Sequence, residues 1–268
     1  MPSLFSDLRR DIVEIGRLLY QKGWVAANDG NISVRVDGDR ILTTPTGVSK
    51  GLMREDDLIV CDMQGNKLEG HRERTSEILM HLTIYEMRQD VCAVVHAHPP
   101  VATGFAVAGR ALDQALLPEV IVNLGCIPLA SYGLPGTYEL SETLKPYVPE
   151  YDAILMANHG AVAYGKDLQK AFFNIETVEH VARITLIAEL LGGAKELNSG
   201  DVGKLCDART RYGVPLRPSI RPVTRDSSEG DTASPSRYVT PSRYVTPSPY
   251  ITKDEVMLLL DEVMRVRR

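Results

Sequence analysis

Residues 92–100 read Cys-Ala-Val-Val-His-Ala-His-Pro-Pro. Small and β-branched residues lead into two histidines at alternating positions, and two prolines stop the run. A strand places alternate side chains on one face, so His96 and His98 can converge on a single ion. The prolines put that pair at an edge or mouth of a sheet, where a ligand can enter. Two histidines hydrogen-bonded inside a core would show the same spacing.

Upstream, the runs Ile32–Val36, Arg40–Thr44 and Asp57–Asp62 alternate or concentrate apolar residues as short strands do. An opening helix precedes them, with Leu8, Ile12, Ile15 and Leu19 at helical spacing among charges. A second helix is expected over Ser76–Met87, with Ile78, Leu82 and Tyr85 on one stripe. Downstream, strands are expected at 127–131, 153–157 and 161–165. A long helix follows over 168–191, with Leu168, Ala171, Phe172, Ile175, Val178, Ala182 and Leu186 near one face. Asp167 is placed as its N-cap and Gly192-Gly193 as its stop. Hairpin-like spacings leave no room for repeated βαβ crossovers, so the fold class is α/β with a largely antiparallel sheet between helices.

The texture changes beyond residue 214. Residues 215–251 are rich in Pro, Ser, Thr and Arg, and repeat a hexad: PSRYVT at 235–240 and 241–246, then PSPYIT at 247–252. A proline opening each repeat removes a ladder donor, which favours an extended linker of polyproline II character. Thr252 and Glu255 then form a capping box ahead of Val256, Met257, Leu260, Val263 and Met264. Residues 252–268 are therefore expected to form an amphipathic helix that needs a partner surface, since a lone helix of this length is marginal in water. The chain thus divides into a body at 1–214, a linker at 215–251 and a terminal helix at 252–268.

A formal charge of −5 over 268 residues, with no Lys/Arg block, gives no reason to expect nucleic acid. The N-terminus lacks the continuous apolar stretch of a signal peptide, and no run approaches the length of a membrane span. The four cysteines form no CxxC pair and are expected to be reduced in a soluble cytoplasmic protein.

His159, in Asn-His-Gly after the apolar run 153–157, can supply a third nitrogen to the His96/His98 pair. Three histidines with an open fourth position are the ligand set of catalytic rather than structural zinc. His71 in a charged loop, and His81 and His180 within helices, carry no such context. Glu77 follows Thr75 and Ser76 at the expected helix start, where free N–H groups seat an anion. It is either a first-turn acid that favours the dipole or a carboxylate for proton transfer. The turns Asn28-Asp29-Gly30-Asn31 and Thr44-Pro45-Thr46-Gly47 can cradle phosphate with their backbone N–H groups, or can be plain turns.

In order, GNISVR, TPTG, TSE, VVHAHPP, NHG and RYG resemble the class II aldolase/adducin family over residues 5–214, and most of all its L-fuculose 1-phosphate aldolase members. The resemblance implies a three-layer α/β/α sandwich with a mostly antiparallel central sheet, assembled as a homotetramer with sites between subunits. It implies one Zn2+ per subunit on His96, His98 and His159. Phosphate contacts carry over to Gly30, Asn31, Thr46, Gly47, Thr75 and Ser76. Glu77 matches the catalytic acid/base and Tyr212 a tyrosine that closes over a neighbouring site. Leu117 stands where fuculose members have a second catalytic tyrosine, with Glu119 and Tyr132 the nearby substitutes. The implied reaction is retro-aldol cleavage of a ketose 1-phosphate, of the L-fuculose or L-rhamnulose type, to dihydroxyacetone phosphate and an aldehyde such as lactaldehyde. Pentulose 5-phosphate 4-epimerases, which usually carry aspartate in place of Glu77, and the dehydratases and decarboxylases are the alternatives. The adducin branch, a non-catalytic module, lacks the zinc histidines. The tail resembles the encapsulation peptides of bacterial microcompartment enzymes, which implies a shell protein as partner and a compartment lumen as location; a helix that packs back on its own catalytic body is the alternative.

Overall fold

The computed structural model describes residues 4–211, with strands and helices numbered here in chain order. Helix α1 (Leu4–Gln21) leads to β1 (Asn31–Arg35), β2 (Arg40–Thr43), β3 (Ile59–Asp62) and β4 (Lys67–Glu69). Then follow α2 (Ile78–Met87), β5 (Ala93–Ala97), α3 (Pro100–Val107), α4 (Pro118–Asn123), β6 (Leu129–Ala130) and α5 (Tyr138–Leu144). Strands β7 (Ala153–Met156) and β8 (Gly160–Gly165) precede the long helix α6 (Leu168–Leu190) and α7 (Ser199–Arg211). Tyr212, the linker 215–251 and the terminal helix 252–268 lie outside the described residues.

Eight strands form one mixed sheet in the order β4-β3-β2-β1-β5-β8-β7-β6. All pairs are antiparallel except β6 with β7, which run parallel because α5 crosses over between them. The expected antiparallel majority holds, and that single crossover is the exception to it. In the centre, β1 pairs with β5 in the register Asn31↔His96, and β5 pairs with β8 in the register His96↔Val162.

Alternation along the strands feeds two separate cores. Ala93, Val95, Ala161 and Ala163 join Ile12, Phe172 and Ile175 in one cluster. Val94, Ile154 and Val162 join Tyr85, Leu140 and Leu144 in the other. Each fully buried aliphatic side chain is worth about 1.5–3 kcal/mol. Exposed ion pairs such as Arg10–Asp7 contribute about 0–1 kcal/mol, so the cores, not surface charge, hold the sheet together.

Several helix boundaries differ from the sequence expectation. Helix α2 begins at Ile78, two residues late, because Glu77 sits outside helical geometry at φ −95°, ψ 19°. Leu186 is 39% exposed, since α6 outruns the sheet it covers and its last turns leave the core. Asp167 does cap α6, accepting from the Lys170 amide, and Gly192 and Gly193 at φ 112° and 114° end the helical path. No disulfide joins any of the four cysteines. Among the described residues no helix is long and apolar enough to cross a membrane.

Glu179, 1% exposed in α6, accepts from the Val101 and Ala102 amides at the start of α3 and pairs with Arg183. A buried carboxylate so placed satisfies helix-terminal donors that would otherwise be orphaned. It also pins the turn through Pro99 and Pro100 that leaves His98.

Candidate metal centre

His96 lies on β5 with its side chain on the face that packs against α2. Its Nδ1 faces the Ala161 carbonyl oxygen at 2.9 Å, which can only accept. The ring hydrogen of the neutral form therefore sits on Nδ1, and the Nε2 lone pair points inward. His98 follows the strand end and brings its Nε2 to 3.1 Å from that of His96. Four-coordinate zinc with bonds of about 2.0–2.1 Å separates its ligands by about 3.3 Å, so this pair already stands near a tetrahedral edge. His159 completes the set. One nitrogen from each of the three rings lies within 4.8 Å of the others, the one such grouping among the described residues.

His159 reaches this position through an unusual turn. Asn158 takes the left-handed region at φ 55°, a conformation asparagine tolerates, and β8 begins just beyond. Gly160 is needed for space. A Cβ there would lie 2.5 Å from His98 Cδ2 and 2.7 Å from the Ala97 carbonyl oxygen.

Glu77 is buried at the mouth of α2, with Oε2 3.3 Å from His96 Nε2 and Oε1 3.2 Å from His159 Nε2. Asn31 Nδ2 donates to Oε2 at 2.7 Å. Burial by itself would raise this carboxyl, but His96, His159 and the Asn31 donor together hold it well below the usual carboxylate range. A side chain so engaged is not a first-turn acid answering only to the helix dipole. Burial lowers His98 and, with His96 beside it, lowers His159 to about 4. Both are neutral near pH 7, the state in which imidazole binds a metal. Burial opposes charge on His96 too, yet Glu77 outweighs it and raises that ring. The donor set, its fixed tautomer and its spacing fit a tetrahedral ion with one position left for a ligand.

An open cleft of ≈ 220 Å³ lies over the centre, lined by Gly30, Asn31, Thr46, Thr75, Ser76, Glu77, His98 and His159 among others. His96 lies fully buried beneath it. Gly30 is held at φ 69°, and a Cβ there would meet Val25 and the His96 carbonyl oxygen, so the loop presses directly onto β5. Two of the expected anion contacts are already committed to the fold. The Thr46 amide donates to the Glu73 carbonyl, and Thr75, 3% exposed, accepts from the Glu77 amide through Oγ1. Gly47 belongs to the same turn as Thr46, at φ 70°, but is not part of the cleft wall. Leu117, at the N-cap of α4, packs against the first core, and neither it, Glu119 nor Tyr132 lines the cleft.

The sequence reasoning passed over three neighbours. Asp29 lines the cleft with Oδ2 3.6 Å from His98 Nδ1. Lys50, 1% exposed, donates to the Asn28 and Val48 carbonyls and so ties the two anion turns together. His81, set aside as ordinary, is fully buried and bonds to Asn31. The four-residue spacing of His81 from Glu77 marks one helix face but points to nothing without the facing strand.

Comparison with known proteins adds a family. The model described as Class II Aldolase and Adducin N-terminal domain matches residues 10–186. An L-fuculose phosphate aldolase of Methanococcus maripaludis is 36% identical over 177 residues, 66% of this chain and 95% of the relative. A 3-oxo-tetronate 4-phosphate decarboxylase of Haemophilus influenzae is 34% identical over 178 residues, 65% of this chain and 84% of the relative. Among solved structures, an L-fuculose 1-phosphate aldolase superposes with a TM-score of 0.71 at 31% identity, covering 76% of this chain and 97% of its own.

Proposed function

This chain belongs to the class II aldolase and adducin family, and from that premise we propose that it cleaves a ketose 1-phosphate of the L-fuculose or L-rhamnulose type. The products are dihydroxyacetone phosphate and an aldehyde such as lactaldehyde. One arrangement supports this above all: a buried, ionised Glu77 within 3.3 Å of two convergent histidines, beneath a cleft walled by the two anion turns.

Zn2+, held by His96, His98 and His159, would supply Lewis acidity to the substrate's carbonyl and neighbouring hydroxyl oxygens. The protein's own groups do the rest. Gly30, Asn31 and Ser76, with the side chains of Thr46 and Thr75 in the cleft wall, hold the phosphate end, which sets the C3–C4 bond beside Glu77. As that bond breaks, its electron pair stays on C3 of the three-carbon fragment and the C4 hydroxyl gives up its proton to become the aldehyde carbonyl. Glu77, ionised at rest, accepts that proton and delivers it to C3. In the synthetic direction the same carboxylate removes it. A carboxylate held ionised by its surroundings suits the role of base. Tyr212 closes over a neighbouring site.

A decarboxylase of the 3-oxo-tetronate 4-phosphate type is the second reading, favoured by the cleft wall itself. Among the described residues that wall holds no tyrosine to take the C4 hydroxyl proton as the aldehyde departs. Loss of carbon dioxide from a β-keto acid needs no such group.

Three finer assignments accompany the first. The two cores on opposite faces of the sheet support a three-layer α/β/α arrangement. The exposed Ile187, Leu190 and Leu191 at the end of α6 support assembly as a homotetramer. Residues 252–268, tethered by the linker 215–251, form a docking helix for a microcompartment shell in the cytoplasm. A fluorescent protein carrying 235–268 that co-assembles with no shell overturns that last assignment.

The deciding assay offers L-fuculose 1-phosphate, L-rhamnulose 1-phosphate and 3-oxo-tetronate 4-phosphate to zinc-loaded protein, with and without chelator, following dihydroxyacetone phosphate and carbon dioxide. Chelator-sensitive dihydroxyacetone phosphate, lost in Glu77→Gln, is expected. Carbon dioxide in its place selects the decarboxylase, and neither product refutes both.

A further inference from the structure

From Glu77 and Asn31 a buried chain of polar side chains runs inward to His81, Ser33 and Tyr85, which the proposed chemistry does not touch. On α2 and its leading residue, Glu77, His81 and Tyr85 recur every four positions. On β1, Asn31 and Ser33 recur every two. Four helical residues advance about 6.0 Å, and two strand residues about 6.6–6.8 Å. The two rows therefore keep step and interleave. Asn31 Nδ2 meets Glu77 Oε2 at 2.7 Å, and Asn31 Oδ1 meets His81 Nε2 at 2.5 Å. His81 Nδ1 meets Ser33 Oγ at 2.6 Å, and Ser33 Oγ meets the Tyr85 hydroxyl at 2.8 Å. Asn31, Ser33, His81 and Tyr85 are all buried.

The hydrogens in this chain can run only one way. A carboxylate accepts, so Asn31 must turn its amide nitrogen to Glu77 and its oxygen to His81. That oxygen needs a donor, which puts the imidazole hydrogen on Nε2. Nδ1 then accepts from the Ser33 hydroxyl, and the Ser33 oxygen accepts from Tyr85. Burial lowers His81 to about 3, consistent with a neutral ring, and raises Tyr85 above its ordinary value, consistent with an intact hydroxyl. Reversing the Asn31 amide would set two oxygens 2.7 Å apart and cost a buried hydrogen bond.

Resting on the function proposed above, we propose that His81 is a positioning residue. Through Asn31 it fixes the rotation of the Glu77 carboxylate beside the histidine centre. It touches neither substrate nor ion. Its Nε2–H locks the Asn31 amide, and the locked amide holds Glu77. Asn31 Nδ2 keeps its second hydrogen for the cleft that Asn31 lines.

The test compares zinc-loaded full-length wild type with His81→Leu, His81→Gln and Asn31→Ala, alone and combined. Glutamine retains an N–H that reaches Asn31, and leucine does not. His81→Leu should lower kcat about 10–100-fold, as loss of outer hydrogen-bond partners does elsewhere, with zinc content and KM nearly unchanged. His81→Gln should recover most of that loss. In the Asn31→Ala background, His81→Leu should cost nothing further, whereas damage to the fold would cost the same in both backgrounds. Wild-type kcat in His81→Leu, equal loss in both His81 variants, or an undiminished effect without Asn31 each overturns the proposal. If His81→Leu does not fold, Ser33→Ala removes the Nδ1 partner instead, and an unchanged kcat there overturns it. A wild type inert on every substrate refutes the function and leaves this proposal to crystallography. A Glu77 carboxylate still in its wild-type orientation in His81→Leu would then overturn it.

Discussion

Replacing Gly160 with alanine adds one methyl group where β8 passes beneath the histidines. Its Cβ would stand 2.5 Å from His98 Cδ2, 2.7 Å from the Ala97 carbonyl oxygen and 3.3 Å from His96 Cε1. Ordinary contact begins at 3.4 Å, so the His98 ring must withdraw by about 0.9 Å and the Ala97 carbonyl of β5 must yield as well. The ring is the softer element, because β5 is hydrogen-bonded on both edges. A metal–nitrogen bond tolerates a departure of only about 0.2 Å. His98 should therefore leave the coordination sphere while His96 and His159 remain. We expect zinc affinity to fall at least 100-fold, about 3 kcal/mol. Overpacking should cost the metal-free fold about 1–3 kcal/mol. The assay is equilibrium competition against a chromophoric chelator, with thermal melts of the metal-free proteins alongside. Gly104→Ala is the control, since a Cβ at that helical glycine meets nothing within 4 Å. It should leave zinc binding unchanged and stabilise α3 by up to about 1 kcal/mol. A folded Gly160→Ala protein that binds zinc with wild-type affinity would refute the reasoning.

Two further outcomes follow from buried charges beside the site. Burial, partly offset by Asp29 and Glu77, lowers Lys50 from 10.5 to about 8. Between those values the unfolded chain binds the extra proton, so this lysine's contribution to stability rises with pH across that window, by about 3 kcal/mol in full. In urea melts read by Trp24, the one tryptophan, the stability of wild type relative to Lys50→Met should climb from pH 8 to 10. A flat difference contradicts it. Glu179→Leu strips the Val101 and Ala102 amides of their acceptor and should cost about 2–4 kcal/mol, with Glu179→Gln much milder. A loss under about 1 kcal/mol for the leucine variant would show that the N-terminus of α3 finds another partner.

The candidate metal centre was legible because its residues announce themselves locally. A period-two histidine pair before Pro-Pro and a histidine between asparagine and glycine need no tertiary knowledge. The part played by Gly160 needs the fold: the left-handed turn belongs to Asn158, and the glycine makes room for rings. His81 was illegible by the same logic. Within an apolar helix a histidine looks like core, and its meaning lies in the match between helix and strand repeats, which no single window contains. The short helices α3, α4 and α5 span eight, six and seven residues, too few turns to raise a periodic signal. The α5 crossover that makes β6 and β7 parallel went unseen with them.

The central place of β5 in the sheet has a consequence for synthesis. As the chain emerges in order, β1 can pair with β5 soon after residue 97. The other edge of β5 must wait for β8, with Val94 opposite Tyr164 and Ala97 opposite Ala161. Throughout that interval an apolar five-residue strand presents unpaired amides and carbonyls to whatever is nearby. The segment that carries two of the three convergent histidines is thus the one most exposed to mispairing while the chain is being made. Conditions that slow translation between residues 100 and 165 should raise the insoluble fraction more than slowing anywhere else in the body.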